Sequence, residues 1–176
     1  ARSVASRVLT GDFYDHLPLD SDRFGLALGD AMGKGLPAAL LGIQLHALPR
    51  AGFQHGLPQV VSLLNAHLLG LGDKARCVTL FCGAYERSSG RLRYVNAGHN
   101  PPIVMRRHGS HELLETGGAL LGALPDARYD VGTTELRAGD CLLVYSDGVT
   151  ETWARDGEFY GEERLCATVS RLRTLG

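Results

Sequence analysis

Long apolar runs are missing from this chain. No stretch approaches the roughly 20 consecutive apolar residues of a membrane-spanning helix, and the start, Ala1-Arg2-Ser3-Val4, has none of the apolar core of a secretory signal. Charge of either sign is not in excess. Lys and Arg number 18 against 19 Asp and Glu, a formal net charge of -1, so no broad field draws in nucleic acid or anionic lipid. Arg106, Arg107 and His108 form only a short cluster, read as a solvated hairpin end. Cysteine is sparse as well. Cys77, Cys82, Cys141 and Cys166 show neither C-x-x-C spacing nor the density of a disulfide scaffold, which predicts reduced core residues of a cytoplasmic protein. Internal repeats, low-complexity tracts and linkers are absent. The 176 residues suffice for one domain with a substantial core and are too few for two of ordinary size.

What is present alternates and turns. Hydrophobic content of 44% with 21% charged residues is that of a globular domain. Strands are expected over Val4–Leu9, Phe13–Leu19 and Arg23–Leu28, the last two returning on each other through the turn cluster Asp20-Ser21-Asp22. Leu36, Leu40, Ile43 and Ala47 share one face of a helix that Pro49 and Gly52 end, and Val60, Leu64, Leu68 and Leu71 mark a second helix from about Pro58. Val78–Tyr85 is apolar on both faces and fits a central strand; Arg91–Asn96 follows it, then a loop through Pro102. Ile103–Arg106 and Glu112–Glu115 read as a hairpin, Gly117-Gly118 as a break, Tyr129–Leu136 and Cys141–Tyr145 as strands, and Glu162–Leu172 as a closing helix. Two successive helices between strands indicate an α+β layered fold rather than alternating β-α-β units.

Three aspartates sit at expected strand ends beside glycine: Asp12 in Thr10-Gly11-Asp12-Phe13, Asp30 in Gly29-Asp30-Ala31-Met32-Gly33-Lys34-Gly35, and Asp147 in Ser146-Asp147-Gly148. A hairpin carrying Asp12 and Asp30 brings both carboxylates to one end of a sheet. Oxygen ligands of this kind suit Mg2+ or Mn2+, and softer metals would call for histidine or thiolate. Carboxylates crowded together raise one another's pKa, so such a cluster makes sense around cations. Two of them about 4 Å apart hold and acidify a water that attacks a phosphoryl group. A bare aspartate-glycine pair, taken singly, is more often a turn.

The ordered set Gly11-Asp12-Phe13-Tyr14-Asp15, Gly29 to Ala39, Val78-Thr79-Leu80-Phe81, Tyr94 to Pro102, Gly139-Asp140, Ser146 to Glu151 and Tyr160 to Leu165 resembles the motifs of the SpoIIE/RsbU branch of the metal-dependent PPM (2C-type) serine/threonine phosphatases. The resemblance runs collinearly from Asp12 to Leu165. It implies two packed antiparallel β-sheets flanked by helices, a two-ion Mn2+ or Mg2+ site, and hydrolysis of phosphoserine or phosphothreonine by a metal-bound water. It also implies a phosphorylated STAS-type anti-anti-sigma partner and a sensor domain before Ala1. Carried over, Asp30 bridges both metals, the Ala31 carbonyl and Asp147 bind metal, and Asp12 completes the site directly or through water; these aspartates are the catalytic residues. Asp15 is invited by the motif, although an outward strand residue is the simpler reading. The family's Asp-Asp-x-Thr segment, some 30 residues past Gly-Glu-Glu-Arg-Leu, is not reached by Gly176. The expectation is therefore a single domain over 1–176 cut short at both ends and lacking its last strand, with a catalytically impaired phosphoprotein-binding module as the alternative.

Other candidates have plainer readings beside them. Gly33-Lys34-Gly35 is no phosphate loop, because Leu28 stands where the first glycine belongs and no Ser or Thr follows Lys34. Lys34 either attracts substrate phosphate or is a solvated lysine at a helix start. His99 either assists a leaving group or holds its loop, the second being favoured. The remaining histidines lack paired spacing. Trp153 is read as a packing anchor, and Glu151 and Glu158 as exposed loop acids.

Overall fold

The computed structural model describes residues 11–33, 38, 56–72, 77–153 and 157–173. The strand expected over Val4–Leu9, nearly all of the helix expected from Leu36, and Lys34 lie outside the described residues.

The first hairpin is longer than its glycines suggest. β1 (Asp12–Pro18) and β2 (Arg23–Ala31) pair antiparallel from Asp12↔Asp30 to Pro18↔Phe24. Asp20 closes the turn: its carboxylate accepts from the backbone N–H groups of Asp22 and Arg23 at 2.9 and 2.7 Å. β2 runs three residues past the expected end at Leu28, and Asp30 lies at the end of the strand, as expected. α1 (Leu57–Gly70) begins with Pro58 in its first turn, where a missing N–H costs nothing. β3 (Val78–Glu86) pairs with β2 on one side and β4 (Arg91–Ala97) on the other, which explains its apolar residues on both faces.

The free edge of β4 takes two short strands. β8 (Gly132–Glu135) runs antiparallel against Arg91–Tyr94, and β7 (Gly117–Gly118) runs parallel against Asn96 and Ala97. Gly117-Gly118 was expected to break the pattern; it joins the sheet instead. A Cβ on Gly117 would stand 1.8 Å from the Asn96 carbonyl oxygen, so the backbones approach as only glycine allows. A second sheet has the order β6 (His111–Leu113), β5 (Ile103–Met105), β9 (Cys141–Leu143), all antiparallel. A single helical turn, α2 (Asp147–Thr150), and a closing helix, α3 (Gly161–Arg173), follow.

Side-chain alternation along the strands sorts the apolar residues into three interlayer spaces. Val78, Leu80, Cys82, Val95 and Ala97 meet Val60, Val61, Leu64 and Leu68 of α1. On the opposite face, Phe81, Leu92 and Tyr94 pack with Val104 and Leu142 between the two sheets. Ile103, Met105, Leu143 and Tyr145 then meet Leu165, Cys166 and Val169 of α3. The order of layers is helix, sheet, sheet, helix, as expected.

Two expectations about surface residues change. All four cysteines are free thiols, but only Cys82 is fully buried, with its thiol pushed up to about 12 by desolvation. Arg106 is not a solvated residue. Its guanidinium binds Asp140 at 2.9 Å and also Glu112 and Thr134, tying the two sheets together. Asp140 is held at about 2 by the N–H groups of Arg137 and Arg107 and by Arg106, which gives the Gly139-Asp140 motif a structural use. Among the described residues no helix is long and apolar enough to cross a membrane.

Candidate active site

Asp12 and Asp30 are direct partners across β1 and β2, which sets their Cβ atoms roughly 5 Å apart. Leu26, two pairs of residues before Asp30, packs between the sheets, so alternation turns Asp30 toward the same side, at the end of the sandwich. Gly11 makes room for this. A Cβ there would lie 2.5 Å from the Ala31 carbonyl oxygen and 3.2 Å from Asp30 Oδ1. That crowding places the Ala31 carbonyl beside the two carboxylates.

The third acid arrives from the other sheet. β9 leads through Tyr145 into Ser146, whose Oγ donates to Asp12 Oδ2 at 3.2 Å, and Asp147 then opens α2. The electrostatics register the convergence. Burial raises the Asp30 pKa from 3.8 to about 7, helped by the charges of Asp12 and Asp147, a hydrogen bond with Asp12, and the charge of Glu151. A carboxylate so placed is either protonated or in need of a cation. Two carboxylates, a carbonyl and a third carboxylate nearby form a hard-oxygen donor set, which fits Mg2+ or Mn2+. As they stand, no three His, Cys, Asp or Glu side chains among the described residues form a group that would enclose a metal ion by themselves; waters would complete the shell of either metal.

Asp15 is excluded by distance. It lies three residues along β1, roughly 10 Å from Asp12, and its carboxylate accepts from the His16 N–H. Glu158 pairs with Arg164 at 3.0 Å, whereas Glu151 is exposed and close enough to act on Asp30.

His99 is buried, with 4% of its surface exposed, and holds its loop. Asn96 Oδ1 accepts from the His99 N–H at 2.7 Å, and Asn96 Nδ2 donates to the His99 and Leu114 carbonyls at 3.0 and 3.1 Å. The His99 Nδ1 bonds Thr79 Oγ1 at 2.8 Å, while Nε2 makes no hydrogen bond of normal geometry. Desolvation lowers its pKa to about 4 against weaker opposing effects of the Tyr145 carbonyl and Asp147, so the ring is neutral at physiological pH. Thr79 sits opposite Asp30 on β3. Thr79 and Ser146 were missed by the sequence reading. Their hydroxyls matter only because strand register brings them beside acids distant in the chain.

Trp153 is not a packing anchor. It is 70% exposed and, among the described residues, stacks on Phe159, itself 53% exposed.

The layers have the fold of the PP2C phosphatase domain of SpoIIE from Bacillus subtilis, matched with a TM-score of 0.73 over 85% of this chain and 44% of that one at 20% identity. The chain belongs to the family described as Stage II sporulation protein E (SpoIIE), which matches residues 20–176. It is 29% identical to the phosphoserine phosphatase RsbU of Bacillus subtilis over 98% of this chain, and 30% identical to the phosphoserine phosphatase RsbP of the same organism over 85%. The chain spans 54% and 39% of the lengths of those two relatives.

Proposed function

We propose that the chain is a metal-dependent phosphatase domain that hydrolyses phosphoserine or phosphothreonine on a protein. The observation that carries this reading is the facing pair Asp12 and Asp30 with Asp147 acting on it, an arrangement that costs free energy without a divalent cation. Asp12, Asp30, Asp147 and the Ala31 carbonyl would hold the ions. Bound Mn2+ or Mg2+ supplies an acidified water and neutralises phosphoryl charge. The protein's part is to fix the acids on rigid strands. Ser146 orients Asp12, and Thr79 with His99 braces the strand beside Asp30. The naming of RsbU and RsbP as phosphoserine phosphatases supports the substrate class. A phosphorylated STAS-type anti-anti-sigma regulator is the partner this reading favours.

The test is phosphate release from p-nitrophenyl phosphate and from a phosphoserine peptide. Both should require Mn2+ or Mg2+ and stop with chelator. A second reading is a module of the same fold that binds phosphoprotein without turnover. Binding of the peptide with no release at any metal concentration would select it.

Metal binding should also be linked to pH. Because Asp30 holds a proton up to about pH 7, a cation must displace it, so apparent Mn2+ affinity should rise between about pH 6 and 8 with uptake of metal releasing a proton. Calorimetry in buffers of different ionisation enthalpy measures that proton. Affinity flat across this range would count against Asp30 as a ligand.

A further inference from the structure

Asp12, Asp30 and Thr79 form one row across β1, β2 and β3, because Asp30 is the register partner of both Asp12 and Thr79. Directly paired residues turn their side chains to the same face, and Phe81, next on that face of β3, is packed between the sheets. The row therefore faces the second sheet. Asp147 belongs to that other support, which it follows from β9 through Val144, Tyr145 and Ser146. Sheets packed face to face are spaced by their side chains, so side-chain contacts set the distance from Asp147 to the row.

The arm that carries Asp147 is held on both of its flanks. Toward its own helix layer, the Tyr145 ring lies against α3 and its hydroxyl donates to Glu162 Oε1 at 2.6 Å. Toward the first sheet, Ser146 Oγ donates to Asp12 Oδ2 at 3.2 Å, at one end of the row. A further crossing lies at the other end of the row, and it runs through His99.

The loop turns at Gly98, which has a φ of +67° and passes so close to Leu120 that a Cβ would stand 2.9 Å from the Leu120 Cβ. This delivers the His99 ring into the interior, with Nδ1 2.8 Å from Thr79 Oγ1. The Tyr145 carbonyl acts on the same ring as an acceptor. A neutral imidazole has one donor and one acceptor. The assignment that uses both is Nδ1 accepting from the Thr79 hydroxyl and Nε2–H directed to the Tyr145 carbonyl. Nε2 is buried and falls short of normal hydrogen-bond geometry; an unmet buried donor is costly, which favours closing this contact. The Ser146 crossing uses an oxygen of Asp12 that a cation would also draw on, whereas the His99 crossing uses no acid.

We propose that His99 is a positioning residue that links β3 to the Asp147 arm, from the Thr79 hydroxyl to the Tyr145 carbonyl, and so sets the spacing of Asp147 from Asp12 and Asp30. This rests on the phosphatase reading above. It adds to that reading a residue that holds no metal itself yet governs how the acids of two sheets fit one.

The experiment uses the whole chain and the variants His99→Leu, His99→Gln, Thr79→Val and Thr79→Ser. Glutamine can place an amide nitrogen near the position of Nε2, and serine keeps the hydroxyl. Hydrogen exchange of the metal-free protein is read at the amides of Val149 and Glu151, which donate to the Ser146 and Asp147 carbonyls at 3.1 and 2.7 Å. His99→Leu and Thr79→Val should each speed exchange there roughly tenfold, the scale of one lost hydrogen bond, and leave the amides of α1 unchanged. Calorimetry should show Mn2+ affinity falling by roughly ten- to a hundredfold, the scale for groups that hold metal ligands in place. His99→Gln and Thr79→Ser should recover most of both. Nitrogen-15 shifts of the parent imidazole should report the Nε2–H tautomer.

Unchanged exchange in His99→Leu and Thr79→Val would overturn the proposal even with a lower melting temperature, since His99 would then hold only its own loop. The Nδ1–H tautomer would do the same. So would unchanged Mn2+ affinity in a parent that binds Mn2+; with phenyl phosphate hydrolysis falling far more than that of p-nitrophenyl phosphate, that result would make His99 a proton donor to the leaving group. The Thr79 variants carry the test alone if His99→Leu does not fold. If the parent neither binds Mn2+ nor hydrolyses either ester, the phosphatase reading fails on its own, and exchange and tautomer decide the link.

Discussion

Asp30→Asn is expected to cut Mn2+ affinity and phosphomonoester hydrolysis by more than about a hundredfold, because loss of an outer-shell partner alone reaches that scale and, on the function proposed above, Asp30 touches metal directly. The same substitution should raise the melting temperature of the metal-free protein at pH 8. The sign follows from the raised pKa. The folded state holds a proton on Asp30 up to about pH 7, whereas the unfolded chain releases it near 3.8. The stability this contributes is present at low pH and is lost as pH rises through 7. An amide in that position is neutral throughout, so it escapes burial of charge beside Asp12 and Asp147. Below about pH 3, where both side chains are close to neutral in either state, parent and variant should melt together. Activity down and stability up is a signature that a merely structural aspartate does not give. Unchanged hydrolysis with a lower melting temperature at pH 8 would refute the assignment.

Phe81→Ala is expected to lower stability by about 3–5 kcal/mol, the range for deleting a buried aromatic ring. Phe81 is fully buried, and its ring lies 5.6 Å from that of Tyr94 in the space between the sheets. β-strand backbones on both sides hold that space open, so the cavity cannot collapse cheaply. Since an ordinary domain has only about 5–15 kcal/mol in total, the loss is a large share of it. Urea unfolding followed by far-UV dichroism measures the effect. A shift below about 1 kcal/mol would mean that the sheets slide together and that the layers are not rigid.

Much of this architecture was legible because strands announce their faces. Val78 to Tyr85 reads as apolar on both sides, and β3 is buried on both. The second helix and the closing helix were placed within a residue or two of Leu57–Gly70 and Gly161–Arg173, since their apolar spacing is helical and glycines lie near their ends. What failed did so for physical reasons. Gly117 looked like a breaker, yet it lies in a paired strand where another backbone comes too close for a Cβ. Gly117 pairs with a residue twenty-one positions earlier, a contact no local pattern reports. Trp153 was read as a packing anchor, and nothing in its neighbours reveals that Phe159 would bridge to it at the surface. The motif order pointed to Asp12, Asp30 and Asp147. Their electrostatic coupling, and the hydroxyls of Ser146 and Thr79 around them, depend on register across two sheets.

The hydrogen bond from Ser146 to Asp12 joins positions 134 residues apart. During synthesis Asp12 therefore waits for its late partner until residue 146 has left the ribosome. A nascent or prematurely terminated copy carries two of the three acids but lacks the loop that delivers the last one. On the phosphatase reading proposed above, such fragments should be inert, and phosphate release should require chains whose translation has passed residue 147.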